Sequence, residues 1–329
     1  MATAEQLKAL IQSHFCNDDD RFKSITLQIA AHTAKKGNTR LAEELQHLMN
    51  EAKRPQSVVG HRRAVPLARA TGELAGLVTA SYPTTRLSDM VLSDRIQLQI
   101  GEIVHQHRQR DLLRSHGLTP KRKLLLVGPP GCGKTMTATA IAGECHLPLM
   151  FVQLHALLTK YMGESAAKLH LVFDAMVQTR GVYLFDEFDA IGATRAATND
   201  IGEMRRILNS FLQFMERDDS DSIIVAATNF VGMLDNALFR RFDDVVRYEL
   251  PDAKMVRTLI ENRLGMFDLS GIKWKAICMV ALNLSHAEVA RACDDAARKA
   301  VLSEVNLITH ELLRQSIVAR GQMRPECQE

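Results

Sequence analysis

The sequence predicts an α/β protein in three parts: an N-terminal helical bundle, a parallel sheet sandwiched by helices, and a small all-α lid domain. Three observations carry this. Between residues 124 and 250, short apolar runs alternate with amphipathic helical stretches, which is the pattern of βαβ units. Beyond Pro251 the strand signal stops and only helical periodicity continues. A glycine-rich loop, residues 128–133, stands between the first apolar run and the helix after it. With 46% hydrophobic and 24% charged side chains the chain can bury a real core, which excludes a disordered or fibrous protein.

Residues 1–52 read as short helices at 4–15, 22–34 and 39–49, the second preceded by the N-cap cluster Asp18 to Asp20. Residues 53–84 read as a basic linker. Lys53, Arg54, Arg62, Arg63 and Arg69 occur there with Pro55, Gly60 and Pro66 and without an acid through residue 72. The α/β part spans 85–251. It opens on a helix from Ser93 to about His116, stopped by Gly117 and Pro120, and continues with strands at 124–127, 149–154, 182–185, 223–227 and 245–250. Helices at 136–145, 164–177 and 202–215 separate them. The lid, 252–329, has helices at 255–264, 274–282, 286–302 and 309–320.

The net charge is only +3, so the total gives no argument for a nucleic-acid or anionic-membrane partner, although the basic linker leaves a nucleic-acid contact open. No apolar stretch reaches transmembrane length and the N-terminus lacks a signal-peptide layout, so a cytoplasmic protein is expected. Cys16, Cys132, Cys145, Cys278, Cys293 and Cys327 form no CxxC pair and read as reduced structural residues.

Gly128, Pro129, Pro130, Gly131, Cys132, Gly133, Lys134 and Thr135 fit GxxxxGK[ST], followed by Met136. Such a loop turns its amides around a polyphosphate at the positive end of a helix. Lys134 supplies a charge to the β and γ phosphates and Thr135 a hydroxyl for Mg²⁺. A strand at 182–185 then delivers Asp186 and Glu187 at a sheet edge, since adjacent acids cannot lie inside a buried strand cheaply. Asp186 suits Mg²⁺, and Glu187 suits a general base acting on water. After the strand at 223–227, Asn229 offers an amide to the γ phosphate or the lytic water.

Together these residues resemble the AAA+ ATPases, and within them the protein-remodelling AAA group, over residues 85–320. The resemblance rests on GPPGCGKT, LFDEFDAI, AATN and the segment 234–243, LDNALFRRFD. It implies ATP and Mg²⁺ as cofactors and a P-loop NTPase sheet. It implies a homo-oligomeric ring, a hexamer in the family, in which Arg240 and Arg241 act as arginine fingers on a neighbour's site. Lys160, Tyr161, Met162 and Gly163 are similar to the family's first pore loop, whose aromatic grips a protein substrate. Residues 193–200 lie near a second. Met90 and Val91 fall where the family clamps the base. His286, in Ser285-His286-Ala287-Glu288, replaces the glycine of the Gly-Ala pair set against the nucleotide, and Arg263 and Arg291 are the candidates for a second sensor.

The implied function is a ring ATPase that remodels, unfolds or disassembles a protein. The alternative is a nucleotide-switched assembly factor acting on DNA or a partner enzyme without threading. His310-Glu-Leu-Leu-Arg314 lacks the second histidine of a zinc-protease motif, so a partner protease would be a separate chain.

Overall fold

The computed structural model describes residues 74, 76–157, 164–188, 200–229, 239–303 and 307–323, with backbone alone at 200–206. The N-terminal bundle, most of the basic linker and the segments likened to pore loops, 160–163 and 193–199, lie outside the described residues.

Six strands form one sheet in the order β1-β3-β4-β5-β2-β6: β1 (Val78–Ser81), β2 (Lys123–Val127), β3 (Leu149–Val152), β4 (Val182–Phe185), β5 (Ile223–Thr228) and β6 (Asp244–Arg247). All neighbours run parallel except β1 and β3. β4 and β5 are buried along their whole length, as a parallel sheet covered on both faces requires. Side-chain alternation divides the core in two. Leu125, Tyr183, Phe185 and Ile224 pack with α5 (Glu164–Gln178) and α6 (Asp200–Arg217). Leu124, Leu126, Leu184 and Val225 pack on the other face with α1 (Asp94–Arg108) and α3 (Lys134–Cys145).

α2 (Arg110–Ser115) follows α1 after a bend at Gln109, so the single helix expected there is two segments. Gln109 still donates to the His105 carbonyl (3.0 Å), which keeps the pair nearly continuous. The strand expected to reach residue 154 ends at Val152 because the short α4 (Leu154–Leu157) begins there. β1 was not indicated by periodicity; it lies within the stretch read as linker.

The helical part, α7 (Ala253–Arg263), α8 (Trp274–Val280), α9 (His286–Leu302) and α10 (His310–Gln322), has its own core around Val256, Ile260, Val289, Cys293 and Leu313. Asp252, Ser285 and Thr309 cap α7, α9 and α10 through their side chains.

Candidate nucleotide site

The site forms at the carboxyl ends of β2, β4 and β5, where ligands bind in open parallel sheets. Leaving β2, Gly128 adopts φ 150° against Tyr248. A Cβ there would sit 2.5 Å from the Tyr248 carbonyl oxygen, so no larger residue fits. Gly131, at φ 76°, accepts a hydrogen bond from the Ala287 amide (3.0 Å), and its own Cβ would meet Ser285 Oγ at 2.7 Å. The loop is thereby clasped to the start of α9. Gly133, the N-cap of α3, turns the chain into the helix, whose first amides have no intrahelical partners and so can bind an anion at its positive end.

Lys134 is buried. Its ammonium donates to the carbonyls of Gly128 (2.7 Å) and Pro129 (2.9 Å) and to Asn229 Oδ1 (2.8 Å). One cation therefore links the phosphate loop to the end of β5. Thr135 Oγ1 donates to Asp186 Oδ2 (2.5 Å), bringing a hydroxyl and a carboxylate oxygen together at the end of β4. Oxygen donors of this kind fit Mg²⁺, which keeps part of its water shell and takes one or two protein oxygens besides phosphate.

Glu187 is exposed and has φ 52°, a left-handed conformation that a non-glycine residue adopts rarely. Its amide donates to Asp186 Oδ1 (2.9 Å), so the first acid holds the backbone that presents the second. A cavity of about 600 Å³ connects these groups. Pro130, Gly131, Cys132, Gly133 and Met136 line it on the loop side, with Asp186, Glu187 and Asn229 across from them. The far wall brings in residues that sequence reasoning missed, Leu259 and Asn262 on α7, and it includes Met90 and Val91. Arg263 lines this wall but is held bidentately by Asp294 (2.7 and 3.0 Å), which lowers the carboxyl's pKa and raises its own. His286 lines the same wall, and burial keeps its pKa below the ordinary imidazole value.

Arg240 and Arg241 are not brought into this cavity. They precede β6 and so stand at the amino-terminal edge of a parallel sheet whose opposite edge carries the phosphate loop. Asp243 fixes that segment by accepting from the Arg122 and Lys123 amides (2.8 and 2.9 Å) at the start of β2. Arg240 is exposed, and Arg241 pairs with Glu216 at the end of α6 (2.5 Å). At about 3.3 Å per residue, the five residues of β2 put about 16 Å between the two edges. Lys160, Tyr161, Met162 and Gly163 lie outside the described residues.

Residues 124–250 match the family described as "ATPase family associated with various cellular activities (AAA)". The chain is 32% identical over 304 residues to "Uncharacterized AAA family ATPase y4kL" of Sinorhizobium fredii, covering 92% of this chain and 90% of that protein. It is 29% identical over 256 residues to "ATP-dependent zinc metalloprotease FtsH" of Helicobacter pylori, covering 75% of this chain and 40% of that one. To "Proteasome-activating nucleotidase" of Methanospirillum hungatei it is 31% identical over 241 residues, covering 70% of this chain and 58% of the other.

Proposed function

Since this chain belongs to the AAA ATPase family and is an ATP-hydrolysing enzyme, we propose that it works as a ring that hydrolyses Mg²⁺-ATP between subunits and uses the cycle to pull on a protein. The observation that carries the ring is the separation of the arginines from the cavity of their own chain. In this reading Lys134 and the loop amides hold the β and γ phosphates, and Asn229 orients the γ end. Glu187 takes the proton of the attacking water. Thr135 and Asp186 would hold a Mg²⁺ ion, which would draw charge off the phosphates. Arg240, with Arg241 beside it, would neutralise the transferring group in the adjoining subunit, as arginine fingers supplied in trans do. A protein substrate is supported by the relatives: one is named a protease, another an activator of a proteasome.

The test is complementation. Glu187→Gln subunits lack the base but keep both arginines; subunits carrying Arg240→Ala and Arg241→Ala keep the base. Each alone should hydrolyse ATP at least about 10²-fold slower than wild type, and an equal mixture should recover a sizeable part of the activity. A mixture no faster than its parts removes the shared site. Threading is tested separately by Tyr161→Ala, which should hydrolyse ATP while failing to process a substrate protein. Normal processing by that variant sinks the pore.

A further inference from the structure

The cavity has two chemically different ends. Lys134, Thr135, Asp186, Glu187 and Asn229 make one polar, while Met90, Val91, Leu92, Leu259 and Ala290 make the other apolar. A nucleotide with its phosphates at the first end places its base at the second. The polar side chains of that apolar wall are few, and Arg263 is committed to Asp294.

His286 differs from it. Both imidazole nitrogens are shielded, and neither has a strong hydrogen-bond partner among the described residues. The Val91 main chain lies close enough to the ring to act as a weak hydrogen-bond partner, which partly offsets the effect of burial on its pKa, so at least one ring nitrogen remains without a strong partner. A shielded ring nitrogen left unpaired is costly, and a partner in the cavity would relieve it.

The backbone around the ring is pinned on both sides. Ser285 N–H and Oγ both donate to Glu288 Oε2 (each 2.7 Å) in a capping box, and the Ala287 amide is tied to the Gly131 carbonyl (3.0 Å). The start of α9 thus holds His286 in fixed register with the phosphate loop, while rotation about the broad Cβ–Cγ torsion can turn a nitrogen toward the cavity. Burial keeps the ring uncharged at neutral pH, so it carries one donor and one acceptor.

We propose that His286 reads the base of the bound nucleotide, a ring nitrogen accepting a hydrogen bond from the exocyclic amine of adenine. This rests on the nucleotide reading of the cavity. Calorimetric titrations of wild type and His286→Phe, which keeps a planar ring without nitrogens, test it with four probes: ADP, purine riboside diphosphate lacking the amine, 2′-deoxy-ADP and inorganic pyrophosphate. Wild type should bind ADP about tenfold tighter than the amine-free analogue, and His286→Phe should bind the two equally. The 2′-deoxy ratio and the pyrophosphate affinity should be the same in both proteins. An amine effect of equal size in both proteins, or a change confined to the 2′-deoxy arm, overturns the proposal. Wild type that binds neither ADP nor pyrophosphate overturns the nucleotide reading as well. If His286→Phe does not fold, the ¹⁵N shifts of the His286 ring in wild type decide. One nitrogen should move on saturation with ADP, and two unmoved nitrogens reject the contact.

Discussion

Glu187, the proposed general base, is held at a backbone cost. A non-glycine residue in the left-handed region costs on the order of 1–2 kcal/mol, and here the conformation is held by the Asp186 carboxylate on the Glu187 amide. Strain of this kind persists where the surroundings over-determine it, as active sites often do. Two substitutions separate the contributions. Glu187→Gln keeps the strain and should bind ATP with wild-type affinity while hydrolysing it about 10²–10⁴-fold more slowly; phosphate release and a nucleotide titration measure both. Glu187→Gly removes base and strain together, and should be as inactive yet up to about 1 kcal/mol more stable to urea. A less stable glycine variant would mean that the carboxylate itself holds the loop. Residues of this site were legible where chemistry and position coincide locally. The phosphate loop, the Asp-Glu pair and Asn229 each follow directly on an apolar run. The conformation of Glu187, the Tyr248 carbonyl beneath Gly128 and the Ala287 clasp on Gly131 depend on partners over a hundred residues away or on torsions, and no local pattern announces them.

At the scale of elements, the buried parallel strands were legible because a strand covered on both faces must be apolar throughout. β1 was not: four residues, VTAS, half exposed at the sheet edge and paired antiparallel to β3, carry neither a run nor an alternation. How β2 is anchored was equally hidden. His107 on α1 is buried and its Nε2–H donates to the Lys121 carbonyl (2.7 Å), just ahead of β2. Burial, reinforced by the charges of Arg180 and Arg110, lowers its pKa from 6.5 to about 4. The unfolded chain therefore takes up a proton that the folded one refuses. Stability is complete above about pH 6.5, falls as the pH drops, and has lost about 3 kcal/mol below about pH 4, at about 1.4 kcal/mol per factor of ten. His107→Gln keeps a donor and cannot ionise. Between pH 7 and 4.5 urea should unfold wild type with a stability loss about 2 kcal/mol larger than that of the variant. Equal losses would show that α1 opens before the histidine is protonated.

For the whole molecule, the proposed ring divides the labour of one reaction between the two sheet edges. On the proposed reading, the carboxyl edge carries what binds and hydrolyses the nucleotide, the amino edge carries Arg240 and Arg241, and about 16 Å of strand would keep a subunit from using its own arginines. If the arginines act in trans as proposed, binding is complete within one chain while turnover needs two, and the two should respond differently to dilution. Nucleotide affinity should change little with protein concentration. Turnover per subunit should rise with concentration and level off as assembly saturates, because association contributes the arginines by mass action. The span should be large, since a finger in trans contributes about 10³-fold or more. Sedimentation and phosphate release over one dilution series measure both, and the double variant Arg240→Ala with Arg241→Ala serves as the flat reference. Wild-type turnover that holds constant into dilutions where the chain sediments as a monomer would mean that the fingers are not shared, whatever the geometry of the edge on which they stand.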